Sequence, residues 1–193
     1  MFFLLVSQFQ KVIKKSPSHI PANIGYATSM ERYVKPKQLG DVARAYANVT
    51  VYAMEQNNFK LAEATFRRSL KVSKLIDGDR LESIKFLSTI CFNHDLAAEI
   101  YYELGLEQMK SDSLIPESLE SFKISNAFAS AIESSFASKA LFQIAKITFD
   151  IEHNPKKALK LINSVLTQSL SELEVDAHVL SGQIKEVRLE KII

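Results

Sequence analysis

The residues of this chain whose side chains could carry acid–base, nucleophilic or metal chemistry are few and scattered. They are His19, His94, His153 and His178, the single Cys91, and carboxylate pairs such as Glu117 with Glu120. A structural or catalytic metal needs two or more His, Cys or carboxylate ligands at short, regular spacing, and no histidine here has a second His or Cys at such a distance. In "NHDL", residues 93–96, His94 stands beside Asp95, but neighbours in a helix do not share a face. Exposed or helix-capping positions are therefore expected for the histidines. One cysteine cannot form an internal disulfide or a thiolate cage, and the apolar setting of Cys91 in "FLSTICF" predicts a core position. Glu117 and Glu120 are spaced for a helix surface. The five glycines, Gly25, Gly40, Gly78, Gly105 and Gly182, stand singly, so neither a phosphate-cradling loop nor a nucleophile elbow is present. These residues predict no enzyme, no cofactor, no metal and no small-molecule substrate.

The elements that must position whatever function remains are helices. Of 193 residues, 47% are hydrophobic and 24% charged, with only 5 Gly and 5 Pro, a composition poor in turn formers and suited to long helices joined by short loops. One domain over 1–193 is the expectation from length. A formal charge of +2 gives no argument for nucleic acid, whose binders carry a basic stripe. The densest basic stretches, Lys14 with Lys15 and Arg67 with Arg68, Lys71 and Lys74, read as solvated helix faces. The opening "MFFLLV" ends after six residues at Ser7 and lacks a basic region before it, unlike a secretory signal. No run reaches the ~18 apolar residues of a spanning helix. A soluble, intracellular chain is expected, in the cytoplasm or within an organelle.

Apolar periodicity and caps divide the chain further. Leu5, Phe9, Val12 and Ile13 predict a helix over 2–15, stopped at Ser16-Pro17. A second is predicted over about 21–34, a third over 39–56 ending at Asn57-Asn58, and a fourth to about Leu75. Asp79 with Glu82 reads as an N-cap and its reciprocal carboxylate. Residues 80–109 carry no strong stop and form either one long helix or two joined near Asn93-His94-Asp95. Pro116 opens another helix, and Asn154 caps one that begins with Pro155. The last helix is expected from about Glu172 to Ile193, with Ser169 and Glu172 as a capping box.

A pattern of large and small residues recurs three times. It runs Tyr46, Val49, Thr50, Ala53, Phe59, Ala62, Phe66 and Ser69, then Tyr101, Leu104, Gly105, Gln108, Ser118, Phe122 and Ser125. The third copy is Phe142, Ala145, Lys146, Phe149, Ala158, Ile162 and Val165. Antiparallel helices approach closely only where side chains are small, so Thr50 with Ala62, and Gly105 with Ser118, mark crossings, and Phe66 fills the gap to the next pair. A larger side chain at Ala62 or Ala158 would push two helices apart.

This pattern resembles the tetratricopeptide repeat, whose two-helix unit has small residues at matching positions on helices A and B. "FQKVIKKSPSHIPANIGYA", residues 9–27, is similar to the end of a helix B, the terminal proline as Pro17, and a new helix A with Ala27 at its small position. The resemblance covers about residues 5–168. It implies an all-α fold, an antiparallel helix-hairpin solenoid with a right-handed superhelix, in a single TPR-like domain over 1–193. The spacings depart from the family period of 34: Thr50 to Gly105 is 55 residues, Gly105 to Lys146 is 41, and Lys146 stands at a position usually small. Elongated or irregular repeats, incomplete at both ends, are implied.

The resemblance also implies a concave face lined by helices A. On this chain that face holds Arg44, Ala47, Val51, Met54 and Glu55, then Glu99, Tyr102, Leu106, Met109 and Lys110, then Ala140, Gln143, Ile147, Asp150 and Ile151. Ala47, Val51 and Ile144 replace the polar groups of the family's two-carboxylate clamp, so that activity is not expected. The implied function is a non-catalytic protein–protein interaction or scaffold module, a subunit or assembly factor of a larger complex. It would bind a partner helix or peptide through the apolar groove at Arg44, Val51, Met54, Tyr102, Leu106, Met109, Gln143 and Ile147. Its terminal helices are the other candidate, through Phe2, Phe3 and Leu5, with a membrane-associated partner also possible. The alternative is a helical-repeat RNA-binding protein, against which Val51, Leu106 and Ile147 are apolar at positions that would read bases. At the ends, Leu5, Phe9 and Val12 are expected to face a helix A that does not precede them. Ala177, Leu180, Ser181 and Ile184 are expected to face a helix B that does not follow.

Overall fold

The computed structural model describes residues 2–33, 39–76, 80–91, 93–168 and 171–190, except for the side chains of 2–3, 171–172 and 188–190. The described residues are all-α, ten helices without a strand. In chain order these are α1 (Phe2–Lys15), α2 (Ile20–Tyr33), α3 (Leu39–Glu55), α4 (Phe59–Ser73) and α5 (Arg80–Ser88). Then follow α6 (His94–Gln108), α7 (Ile115–Ser130), α8 (Phe136–Asp150), α9 (Pro155–Thr167) and α10 (Ser171–Glu190). Residues 80–109 form two helices, because Asn93 adopts an extended conformation and its side chain accepts the Leu96 N–H at 2.8 Å. Asn58 and Asn154 cap α4 and α9 in the same way, at 3.2 and 3.0 Å. The proposed caps at Asp79 and Ser169 lie outside the described residues.

Among the described residues three non-glycines adopt positive φ, Asn57 at 56°, Glu133 at 53° and His153 at 50°, each in a turn after a helix. At Asn57 the amide of Asn58 reaches back to the Ala53 carbonyl at 2.8 Å, the pairing that closes a helix through a left-handed residue. The same bond, Ser134 N–H to Ala129 O at 2.9 Å, ends α7.

Contacts divide the chain into two compact units, Met1–Cys91 and Phe92–Ile193. In the first, α1 packs on α2, α2 on α3, and α3 on α4, with α5 against α3 and α4. Its core gathers Ala27, Val42, Ala43, Tyr46 and Val72. The Tyr46 hydroxyl donates to Glu31 Oε2 at 2.7 Å, and Arg68 Nε donates to the same oxygen at 3.0 Å, so one carboxylate ties α2, α3 and α4. Burial raises the Tyr46 pKa, aided by the Glu31 charge. On α1, Val6 is buried and Phe9 lies against Gly25 of α2, whereas Leu5 and Val12 are exposed. The face set against α2 is therefore Val6, Phe9 and Ile13, turned by part of a helical turn from the expected one.

In the second unit α6 packs on α7, α7 on α8, α8 on α9 and α9 on α10, while α8 also touches both α6 and α10. Ala177, Leu180 and Ile184 of α10 share a cluster with Phe142, Ala145, Ala158, Ile162 and Val165. These α10 residues, with Ser181 at 5% exposure, are thus covered by the unit's own helices rather than left open as expected.

The α3/α4 and α6/α7 hairpins repeat one construction. Ser69 Oγ of α4 donates to the Ala43 carbonyl of α3 at 2.6 Å, and Ser125 Oγ of α7 donates to the Ala98 carbonyl of α6 at 2.7 Å. At the crossing, Thr50 and Thr65 hydroxyls pair at 2.9 Å in the first hairpin, and Ser118 Oγ donates to the Gly105 carbonyl at 2.9 Å in the second. Small residues permit the approach, and the hydroxyls then fix the register. In α8/α9 the corresponding position is the apolar Val165, at 2% exposure. Ser69→Ala and Ser125→Ala are each expected to lower stability by about 1 kcal/mol, since each removes one buried hydrogen bond and leaves a carbonyl still served by its own helix. Urea titration of the two variants checks this, and an unchanged midpoint in both would argue against the clamp.

Candidate partner-binding surface

The half-buried strip of Tyr102 and Leu106 on α6 and Met109 at its C-cap is where the candidate residues converge. Their i, i+4, i+7 spacing puts them on one helix face, and all three pack against a core of Phe122, Ala140, Ile144 and Ile147 from α7 and α8. The Tyr102 ring lies 5.7 Å from Phe122 and 5.6 Å from Phe136, both tilted. Burial raises the Tyr102 pKa, and a hydrogen bond with Gln143 of α8 partly offsets that rise. Tyr102 and Gln143 are thus brought together from two helices, with one polar contact at the edge of an apolar strip.

The other candidates are placed differently. Ile147 is 1% exposed and belongs to the core, so it offers no surface to a partner. The reason is the breadth of the α8 contact: buried residues from Ala137 to Thr148 cover well over half the helix circumference, and position 147 faces α6 and α7. Ala47 and Ala140 are likewise buried. On α3 in the first unit, Arg44 is exposed, and Val51 and Met54 are half-buried. Leu5 on α1 is exposed, and Phe2 and Phe3 lie on the same helix with their side chains outside the described residues.

Two hollows were not anticipated from sequence. One, of about 310 Å³, lies between α8 and α10 and is lined by Phe142, Lys146, Asp150, Asp176, Val179 and Gln183 among others. Lys146 and Asp150, one helical turn apart on α8 and facing outward, were its available signal. The other, of about 490 Å³, is walled by Ser130, Glu133, Ser134, Ser135, Ser138 and Gln168, with the Ser138 hydroxyl bonded to Gln168. It surrounds the turn between α7 and α8.

The titratable residues sit in supporting positions. His19 Nδ1 accepts the Ala22 N–H at 3.1 Å at the start of α2, His94 packs on Phe128 with ring centroids 5.4 Å apart, and His153 occupies a turn. Cys91 is half-buried beyond the end of α5 rather than in the core, its thiol donating to the Ser88 carbonyl at 3.3 Å, and burial raises its pKa. Among the described residues no three His, Cys, Asp or Glu side chains are grouped to hold a metal ion, and no helix is long and apolar enough to cross a membrane.

The class defined by the described residues is an all-α protein in which neighbouring helices pack on one another within each unit. No family model matches the sequence, and none of the curated proteins compared with it matches.

Proposed function

We propose that this chain is a non-catalytic protein–protein interaction module built from tetratricopeptide-like helical repeats over 1–193. In this reading it acts inside the cell as a scaffold or assembly subunit of a larger protein complex. The repeated serine-to-carbonyl clamp in α3/α4 and α6/α7 supports the repeat reading, as do the contacts of α8 with the alternate helices α6 and α10. The observation that carries the function is the half-buried strip Tyr102, Leu106 and Met109 along α6 and its C-cap, apolar along one face with Gln143 at its edge. A strip at i, i+4, i+7 suits the apolar side of an incoming helix or peptide, and Met109 adapts its shape to such a ligand at little cost.

Leu106→Glu tests this reading. It would place a charge in a contact that must desolvate on binding, so quantitative capture of partners from cell extract is expected to fall at least tenfold against wild type, with helicity by circular dichroism unchanged. Equal capture by a folded Leu106→Glu protein would remove this strip as the binding site.

A further inference from the structure

The helices α1 and α10 carry exposed faces that complement each other in shape and charge. On α1, Leu5, 49% exposed, and Val12, 40% exposed, border one edge of Leu4, which is 70% exposed and lies on the side opposite the face held by α2. Lys11 and Lys15 are exposed on that side too, and α1 contains three lysines and no acidic residue. On α10, Val175 is 71% and Val179 56% exposed, and the stripe continues through Gly182 to Glu186, opposite the buried Ala177, Leu180 and Ile184. The sequence of α10 has five acidic and two basic residues, with exposed Glu174 and Asp176 flanking the start of the stripe.

Gly182 adds a steric element. In both units a ring of one helix rests on a glycine of its neighbour, Phe9 on Gly25 and Phe122 on Gly105. A Cβ built at Gly182 would meet nothing within 4 Å, so the same kind of seat is open on α10. If α1 lies antiparallel on it, as helices joined by short loops do, the α1 lysines reach the acidic first turns of α10. Leu5 then comes over Gly182. Reversed or like-charged pairings do not satisfy both conditions.

We propose that α1 of one molecule docks antiparallel on the exposed face of α10 of a second copy of this chain, forming head-to-tail oligomers. The two surfaces are different, so the contact is heterologous and propagates into rings or open chains. A single helix pair falls below the ~1,200 Å² of a standard stable interface, which makes the association concentration-dependent and, through its lysines and carboxylates, salt-dependent. The proposal does not depend on the peptide-binding reading of α6, and Leu106→Glu leaves it intact.

Sedimentation velocity of the full chain over a concentration series tests it with charge reversals at exposed positions. Wild type is expected to gain average mass with concentration at low salt and to lose that gain at high salt. Lys11→Glu with Lys15→Glu, and separately Glu174→Lys with Asp176→Lys, are each expected to remain monomeric. Mixing the two double variants, or combining all four changes in one chain, is expected to restore association, which a misfolded variant could not do. A wild type that is monomeric throughout would overturn the proposal. So would oligomers unaffected by either reversal, or a mixture that fails to reassociate.

Discussion

Phe122→Ala is expected to lower stability by about 3–5 kcal/mol, the range for removing a fully buried aromatic ring and leaving a cavity. Phe122 is 0% exposed, sits in one cluster with Ala140, Ile144 and Ile147, and supports the Tyr102 ring from below. Its loss therefore removes the floor of the candidate partner strip as well as core volume. Guanidinium unfolding followed by circular dichroism measures the change, and fluorescence of Tyr102 and its neighbours reports the local loosening. A cost no greater than the ~1 kcal/mol of an average substitution would show that the ring is not the keystone of the α6/α7/α8 packing.

Gly105→Leu is expected to have the next largest effect. Replacing a mid-helix glycine ordinarily gains up to ~1 kcal/mol in helix propensity, so a neutral site would become more stable. Here a Cβ at position 105 would stand 2.7 Å from the Phe122 ring, well inside van der Waals contact, before any of the leucine side chain is placed. Forcing that volume between α6 and α7 costs roughly 1–3 kcal/mol or more, and the sign is set by overpacking rather than propensity. The clash is with one ring, which makes the effect separable: Gly105→Ala combined with Phe122→Leu should cost less than the sum of the two single changes. Additive costs from a double-mutant cycle would show that the two positions do not meet.

The helices were largely legible in the sequence, and the reasons differ by position. Asn154 announces a helix start because a short amide side chain caps the free N–H groups of a first turn, whereas Asn58 and Asn93, read as a helix end and a candidate joint, cap α4 and α6 in the same way. The division of 80–109 was open in sequence and is settled at Asn93. The turn at 131–135 was not foreseen. It contains neither glycine nor proline, and Glu133 is held at positive φ where the Ser134 amide returns to the Ala129 carbonyl, a tertiary outcome without a residue that marks it. The equivalence of Ser69 and Ser125 could be read from spacing, because small residues at a fixed distance after an aromatic recur in both copies. Their donation to Ala43 and Ala98 carbonyls could not, since it depends on the crossing geometry.

The candidate surface was legible to a smaller degree. Tyr102, Leu106 and Met109 share a face by arithmetic alone, and the structure keeps them together. Ile147 was assigned to the concave face by the resemblance, and the structure turns that position into the core instead. In α8, Ala140, Ile144 and Ile147 turn toward α6 and α7, Phe142 and Ala145 turn toward α9 and α10, and Lys139, Gln143, Lys146 and Asp150 share the remaining face. The α1 face was rotated because Leu5, Phe9 and Val12 and the overlapping set Val6, Phe9 and Ile13 are both apolar, and packing on α2 buries Val6 and leaves Leu5 and Val12 exposed.

The serine clamps also set how the hairpins yield under load. A hydroxyl bonded to a single carbonyl works as a tooth in a rack: sliding one helix past the other by one residue, a rise of 1.5 Å, breaks the bond before another can form. The α3/α4 and α6/α7 pairs therefore resist shear in discrete steps. The α8/α9 pair has Val165 in that place and takes its side-chain hydrogen bond elsewhere, from the Ser138 hydroxyl to Gln168 at the end of α9. Resistance to sliding is thus placed differently along the chain: within the helix contact in α3/α4 and α6/α7, and at the outer end of α9 in α8/α9.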